Sequence, residues 1–524
     1  MQSTPLYNKH AFIQFFENIY FFSLLLVAIS LPLSHIGMSI AQFGFGIAVF
    51  GGLHYGTKWK RLKSNNLALM WIGLFLLFLL SGFHSEDQIY FWNDIRTKMP
   101  LWVFATAIAV MPRLSMIKFS AVLHAFLLGL MGHILVGLFI LLSDPYSVMA
   151  DYRSLSPLVS HIRMGIFLVM GIWIMAYFLQ NRLKKYRFFH PALYIAGIVI
   201  FLIWLVILKS LTALFILFVL SLVAGFFFAL EMKNRKKARI LVALCWLPLL
   251  SSLVFTGFHV YHFFDREKVV FSDEPQYSAA GCLYENKPGQ EFYENGRYVF
   301  KDYCTGELVD AWNARSDIDY FANDWAVHYT LLRYMTSRNY SKDALGMQKM
   351  TDADIRNVEK GIPNYRYTAF FGLSGRIYET LWELEVWWGS GDAQGKSLAT
   401  RFELWKAAWK VIRNNHLAGV GAGDLRMELQ KAVYASENPI RYDKSYSAHN
   451  QFLSTAVALG VFGAIWLITT LLYPILYGGK NNRLLFFFSL ITLLSMLNED
   501  VFETQASITF ICFFTHLLYR PENK

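Results

Sequence analysis

A histidine and two glycines mark one stretch near the end of the chain, His449-Asn450 followed by Gly460 and Gly463. An imidazole at the rim of an apolar helix is a titratable group at a membrane surface, suited to taking a proton from a hydroxyl. On a continuous helix turning about 100° per residue, Gly460 falls within roughly 20° of His449 and Gly463 within roughly 40°. The spacing predicts one stripe carrying a base and, three turns deeper, a groove that admits a second helix. A histidine at a helix end can also sit at headgroup level without chemistry, so its surroundings decide between the two.

A second cluster lies about fifty residues earlier. In Ser397-Leu-Ala-Thr400-Arg401-Phe-Glu403, Thr400 and Glu403 have capping-box spacing, which places Arg401 in the first turn of a helix, although Ser397 is an alternative cap. A cation there costs a few tenths to about 1 kcal/mol unless an anion binds between the guanidinium and the helix amides. An arginine paired with an acidic neighbour is the plainer alternative. Downstream, Gly419-Val-Gly421-Ala-Gly423-Asp424 is a glycine-spaced turn, not a nucleotide phosphate loop, because no Gly-Lys-Ser/Thr follows.

The elements that must carry these residues are membrane helices. Hydrophobic residues make up 55% of the chain and charged ones 16%, and long uncharged windows match a hydrocarbon core about 30 Å thick. About twelve spans are expected, near 18–35, 37–55, 67–83, 99–112, 119–142, 162–180, 190–208, 211–230, 240–258, 449–477, 484–498 and 504–519. A single helix over 190–230 is excluded, since forty apolar residues at about 1.5 Å each overshoot the bilayer twofold. Basic residues alternate between connections: Lys58 to Lys63, Arg113 and Lys118, Arg182 to Arg187, Lys233 to Arg239, then Lys480 and Arg483. That pattern puts these loops and both termini in the cytoplasm, and 84–98, 143–161, Lys209-Ser210, 259–448 and 499–503 on the opposite face. The expected division is helices over 1–258, an extracytoplasmic insert over 259–448, and helices over 449–524. The insert holds 23 Lys+Arg against 26 Asp+Glu, so the net charge of +11 arises in the remainder and reports topology, not nucleic-acid binding. No small-residue cleavage site follows the first span, which is expected to be retained.

The insert is expected to fold by itself, mostly as helices, with stretches at Asp324–Arg338, Asp352–Lys360 and Leu398–Asn414 and a capping box at Thr351 and Asp354. Cys282 and Cys304 are its two cysteines, and an oxidising compartment favours a disulfide between them, around a small hairpin within 284–303. No Cys or His spacing suits a zinc site. Two further basic residues share the face of His449: Arg163 at the start of the sixth span, functional or snorkelling, and Lys98 at the mouth of the fourth. Glu499-Asp500 before the last span has an acceptor-binding or a structural reading, with the structural one favoured.

The succession Arg401-Phe-Glu-Leu-Trp405, Gly419-Val-Gly421-Ala-Gly423-Asp424 and His449-Asn450-x9-Gly460-x-x-Gly463 resembles the O-antigen ligase and polymerase superfamily, with the ligase form of the histidine motif. The resemblance extends over nearly the whole chain through the span count and the large loop between the ninth and tenth spans. It implies a GT-C-like α-helical membrane protein of the bacterial inner membrane, with the loop in the periplasm. It also implies glycan transfer from undecaprenyl pyrophosphate to a sugar hydroxyl of lipid A-core, needing no cofactor or metal. His449 would be the general base, and Arg401, Arg163, Lys98, Lys209 and Asn450 would contact substrate. Where many members of the superfamily have Ser-Arg-Thr, this chain has Ser210-Leu211-Thr212, leaving Lys209 or Arg163 to supply the charge. A polymerase or a protein O-oligosaccharyltransferase would carry related motifs. A lipid-glycan flippase would line a path through the spans with charge, whereas the spans between 18 and 258 are nearly uncharged.

Overall fold

A computed structural model of the chain describes residues 9–519, apart from short stretches at 52–53, 146–147, 149–151, 233–234, 273, 323–325, 369–372, 437–439, 441–445 and 479–481. The expected helix start at Asp324 and the basic residues Lys233 and Lys480 lie outside the described residues. A helix forms over each of the apolar stretches expected to span. Among the described residues, six are long and apolar enough to cross a bilayer unaided: Ala11–Ser30, Asn66–His84, Met116–Ser143, His161–Leu179, Leu211–Leu230 and Gln451–Tyr477. The protein is a polytopic helical membrane protein. Pro191–Ile207 and Leu211–Glu231 are separate helices, broken at Lys209, whose φ of 47° no helix can continue through.

The chain divides into two compact units, one comprising Met1–Ile140, Leu155–Ala224 and Ser390–Lys524, the other Leu141–Ser154 and Gly225–Gly389. Residues 390–448, read from sequence as part of the insert, thus group with the apolar helices, because Ser397–Asn414 and Leu425–Tyr434 pack on Gln451–Tyr477.

In the first unit the helix Gln505–Leu518 is buried on every side from Ala506 onward, as expected for a sequence apolar all round. Phe510 and Phe514 stack among Phe126, Phe167 and Phe488, with ring centroids 4.5–6.1 Å apart. Its partner Arg483–Met496 is equally short, at 14 residues. Each rises only about 21 Å, less than the roughly 30 Å hydrocarbon core. The connection between them, residues 497–504, carries the groups that assemble the candidate site.

The second unit has its own core around Trp312, Tyr320, Leu331, Tyr334 and Met335. Cys282 and Cys304 are joined in a disulfide. The hairpin is shorter than the 284–303 expected, pairing only Tyr293–Glu294 with Arg297–Tyr298 around Asn295-Gly296. Both turn residues have positive φ, 52° and 79°, the conformation that Asn-Gly supplies in a two-residue hairpin. Asp352–Glu359 starts at the expected capping box, with the Thr351 hydroxyl accepting from the Asp354 amide at 3.2 Å and the Asp354 carboxylate from the Thr351 amide at 3.0 Å.

Candidate active site

His449 precedes the helix Gln451–Tyr477, half-buried, in the left-handed region at φ 48°. A residue other than glycine holds that conformation at a cost of about 1 kcal/mol unless its surroundings enforce it. Asp500 enforces it here. Its carboxylate accepts from the His449 amide at 2.6 Å, the Asn450 amide at 3.1 Å and the Ser454 hydroxyl at 2.7 Å. The imidazole itself makes no hydrogen bond to another residue among those described. Asn450 is the helix cap, its Oδ1 accepting from the Phe452 and Leu453 amides and its Nδ2 donating to the Leu497 carbonyl. Burial, then the Glu503 charge, raise the Asp500 carboxyl above its ordinary value, against the pull of Ser454 and His449.

The groove expected at Gly460 and Gly463 takes another form. The helix breaks at Gly460, with φ 68° and ψ −167°, so the angular argument for a single stripe fails. The turn 416–423 fills the break instead of a second helix. Val420 and Gly421 donate to the Val457 and Ala458 carbonyls at 2.9 and 3.0 Å, and Val461 donates to the His416 carbonyl at 2.8 Å. These three backbone hydrogen bonds satisfy groups that the broken helix leaves open, the condition for irregular chain in a membrane protein. Gly419 and Gly460 permit the approach: a Cβ at either would meet main-chain atoms at 2.5 and 2.1 Å. The same turn is tied to residues 81–87, through Ala422 to Ser81, Gly423 to Ser85, and the Asp424 carboxylate accepting from the Glu86 and Asp87 amides, both at 2.8 Å.

Arg401 lies in the second turn of its helix, which begins at Ser397 after Lys396 with no side-chain cap. The expected Thr400 capping box does not form, because the Thr400 hydroxyl donates to the Ala393 carbonyl at 2.8 Å. The guanidinium is therefore not at a helix N-terminus. It donates to the Asn498 carbonyl at 2.6 Å, to the Asn498 side chain, and to Glu499 at 2.8 Å. Trp405, one turn on, donates to the Ala448 carbonyl at 2.8 Å, linking this helix to the residue before His449. Arg163 is within electrostatic reach of the same Glu499. Asn498 also donates to Thr212 at 2.8 Å, next to the Lys209-Ser210 turn.

Lys98 is 2% exposed and pairs with Asp94 and, at 3.2 Å, with Glu503. Glu503 also receives Tyr90 at 3.2 Å and Arg426 at 3.4 Å, and Arg426 stacks over the Tyr90 ring. Lys98, expected as a substrate contact at the mouth of a span, lies buried as the counter-ion of Asp94 and Glu503. Burial by itself would raise Glu503, but Lys98 and Arg426 outweigh it and hold it low. Asp94 goes the other way, pushed up to about 6 chiefly by burial.

A pH dependence follows from Asp94. Its folded value lies above the ordinary 3.8, so folding takes up a proton there, and its stabilising contribution falls as pH rises to about 6 and then levels. Glu503 has the opposite sign, and its contribution is lost only as pH falls below its ordinary 4.5. Between about pH 4.5 and pH 6 Asp94 thus contributes a fall in stability with rising pH, to which the raised Asp500 adds with the same sign, and Asp94→Asn is expected to reduce that slope. Thermal midpoints across that range provide the check; an unchanged slope in the variant contradicts the assignment.

Six consecutive residues therefore gather nearly every candidate: Asn498 and Glu499 hold Arg401, Glu499 faces Arg163, Asp500 holds His449 and Asn450, Phe502 donates to Gln451 at 2.8 Å, and Glu503 holds Lys98. Sequence reading passed over Glu503 and Arg426, and singled out Asp500 and Asp424 without their partners. The signal for Asp500 and Glu503 was available in the acidic cluster Glu499-Asp500-Val-Phe-Glu503 between two apolar helices, where charge is costly without partners.

In this apolar helical scaffold a histidine and two arginines from three other segments thus meet the carboxylates of one connection. Residues 355–468 match the family model described as O-antigen ligase, a segment that contains Arg401, the glycine turn, His449 and both glycines of the broken helix. Over that segment the chain is O-antigen ligase-like, which implies glycosyltransferase-type ligase activity in general terms. No curated protein sequence matches the chain.

Proposed function

We propose that the protein is a ligase-type glycosyltransferase that moves a glycan from undecaprenyl pyrophosphate to a sugar hydroxyl of lipid A-core at the periplasmic face of the inner membrane. The reading includes twelve crossings, cytoplasmic termini, and a periplasmic 259–448 region. His449 takes the acceptor proton, the acceptor oxygen bonds to the anomeric carbon, and the pyrophosphate departs with the electrons of the broken C–O bond. No metal enters, so chelators leave the rate unchanged.

The observation that carries this reading is the convergence of Arg401 and Arg163 on Glu499, one residue from the Asp500 that fixes His449. Arg401, paired with Glu499, and Arg163, within its electrostatic reach, are the cations on this side of the base, and a departing pyrophosphate whose charge grows in the transition state would draw on them. A guanidinium carries five N–H groups, and the three hydrogen bonds that Arg401 makes among the described residues leave its Nε–H and one Nη2–H for phosphate. Lys209, in the adjoining turn, is the further cation in the place of the arginine that the resemblance leads one to expect. Lys98 acts through Glu503 to hold the connection in place.

Arg401→Lys tests the pyrophosphate role. Lysine keeps the charge and the Glu499 pair but loses the planar fork. Loss of a charge-assisted bond worth about 1.5–3 kcal/mol predicts a ten- to hundredfold fall in kcat with little change in thermal midpoint. An unchanged kcat contradicts the role.

A further inference from the structure

The second unit contains a cavity of about 740 Å³ that the transfer chemistry above does not use. It lies where the helix Arg235–Phe264 ends, and its walls include His259, the Asn295-Gly296 turn with Arg297 beside it, Tyr365, Arg366 and Tyr378. Its chemistry is selective. Arg366 lies over the Tyr378 ring, 4.3 Å from the centroid, and neither Arg366 nor Arg297 forms an ion pair among the described residues. By contrast Arg266, on the same wall, is paired with Glu385 and stacked on Tyr293. Both ring nitrogens of His259 are buried without a hydrogen-bond partner. Burial, then Arg366 and His262, lower its pKa, leaving a neutral imidazole with one donor and one acceptor unmatched.

Each feature selects the same ligand chemistry. An unpartnered neutral imidazole is satisfied by a hydroxyl, which both donates and accepts. Tyrosine rings offer flat apolar faces to the C–H side of a sugar ring. Asp265 and Glu267 also line the cavity, Glu267 paired with Lys301 at 3.5 Å; Arg297 and Arg366, which form no ion pair among the described residues, outnumber the remaining carboxylate and attract a phosphate or carboxylate, and stacking pre-orients the Arg366 fork. The volume is in the range of small-ligand sites. We propose that this cavity binds a sugar bearing a phosphate or carboxylate, as a recognition subsite for the glycan, remote in sequence from His449. The assignment to the glycan substrate rests on the proposed function; the binding itself does not.

The test is calorimetric titration of the full-length protein in detergent with glucose 1-phosphate, glucuronate, glucose and inorganic phosphate. The two anionic sugars are expected to bind at least about tenfold more tightly than glucose or phosphate alone, since each lacks one half of the recognition. Arg366→Gln and Arg297→Gln should each weaken them about tenfold; Arg297 follows the hairpin turn and is the variant that leaves the Tyr378 stack untouched. Equal binding of glucose, equal binding of phosphate, or binding indifferent to both variants overturns the proposal. Repeating the titration in phosphatidylglycerol and phosphatidylcholine nanodiscs separates the sources of anion: competition by phosphatidylglycerol alone would make a lipid headgroup the occupant and overturn the sugar assignment. His449→Ala is expected to bind the anionic sugars as the unmodified protein does. Intact binding in a protein that transfers no glycan would refute the function alone, and transfer without binding would refute the subsite alone.

Discussion

His449→Ala is expected to lower glycan transfer by roughly 10²- to 10⁴-fold, the contribution of a positioned general base. The thermal midpoint should change little, because the half-buried imidazole makes no hydrogen bond to another described residue and the Asp500 clasp acts on the backbone amide, which alanine retains. Asp500→Ala provides the contrast. It leaves the imidazole present but removes the acceptor for two amides and the Ser454 hydroxyl, so activity and stability should fall together. Transfer rates beside melting curves for the two variants read the difference. Substantial turnover by His449→Ala would remove the base from the mechanism.

Gly460→Ala carries the largest expected effect on folding. The added Cβ would lie 2.1 Å from the Leu417 carbonyl oxygen and 2.8 Å from the Ala418 nitrogen, both main-chain atoms that cannot swing aside. The φ of 68° adds the ordinary penalty for a side chain in the left-handed region. Together these predict a loss of about 3 kcal/mol or more, with displacement of the 416–423 turn and loss of activity. Gly46→Ala is the control, since a Cβ there meets nothing within 4 Å, and a gain of up to about 1 kcal/mol is the helix-propensity expectation. Thermal unfolding of both in detergent decides the matter. Equal midpoints would mean that the helix does not break at Gly460 in the folded protein.

Hydropathy made the apolar scaffold legible because burial in lipid acts on every residue of a span, and each expected apolar stretch is helical. Local chemistry was legible where both partners sit within one turn, as at Thr351 and Asp354. It misled where a long-range or neighbouring backbone group competed. Thr400 had a capping-box pattern, yet its hydroxyl serves the Ala393 carbonyl and the helix begins three residues earlier, moving Arg401 away from the N-terminus. Gly460 in an apolar helix reads as a packing notch; only the turn 416–423, more than thirty residues away, makes it a break. His449 was legible as a residue type in a suggestive place. Asp500, fifty-one residues on, was not legible as its anchor, because pairing across that separation is a property of the tertiary fold.

These contacts leave the acceptor as the most informative unknown. The most direct measurement is incubation of the purified protein, in bilayer nanodiscs with a chelator, with an undecaprenyl-pyrophosphate glycan and three acceptors side by side: lipid A-core, a second lipid-linked glycan, and a serine-containing peptide. Glycosylated lipid A-core with release of undecaprenyl pyrophosphate is the expected result, and it should vanish in His449→Ala. Glycan appearing on the second lipid-linked glycan or on the peptide would contradict ligation to lipid A-core, and the absence of product on all three would contradict glycosyl transfer itself.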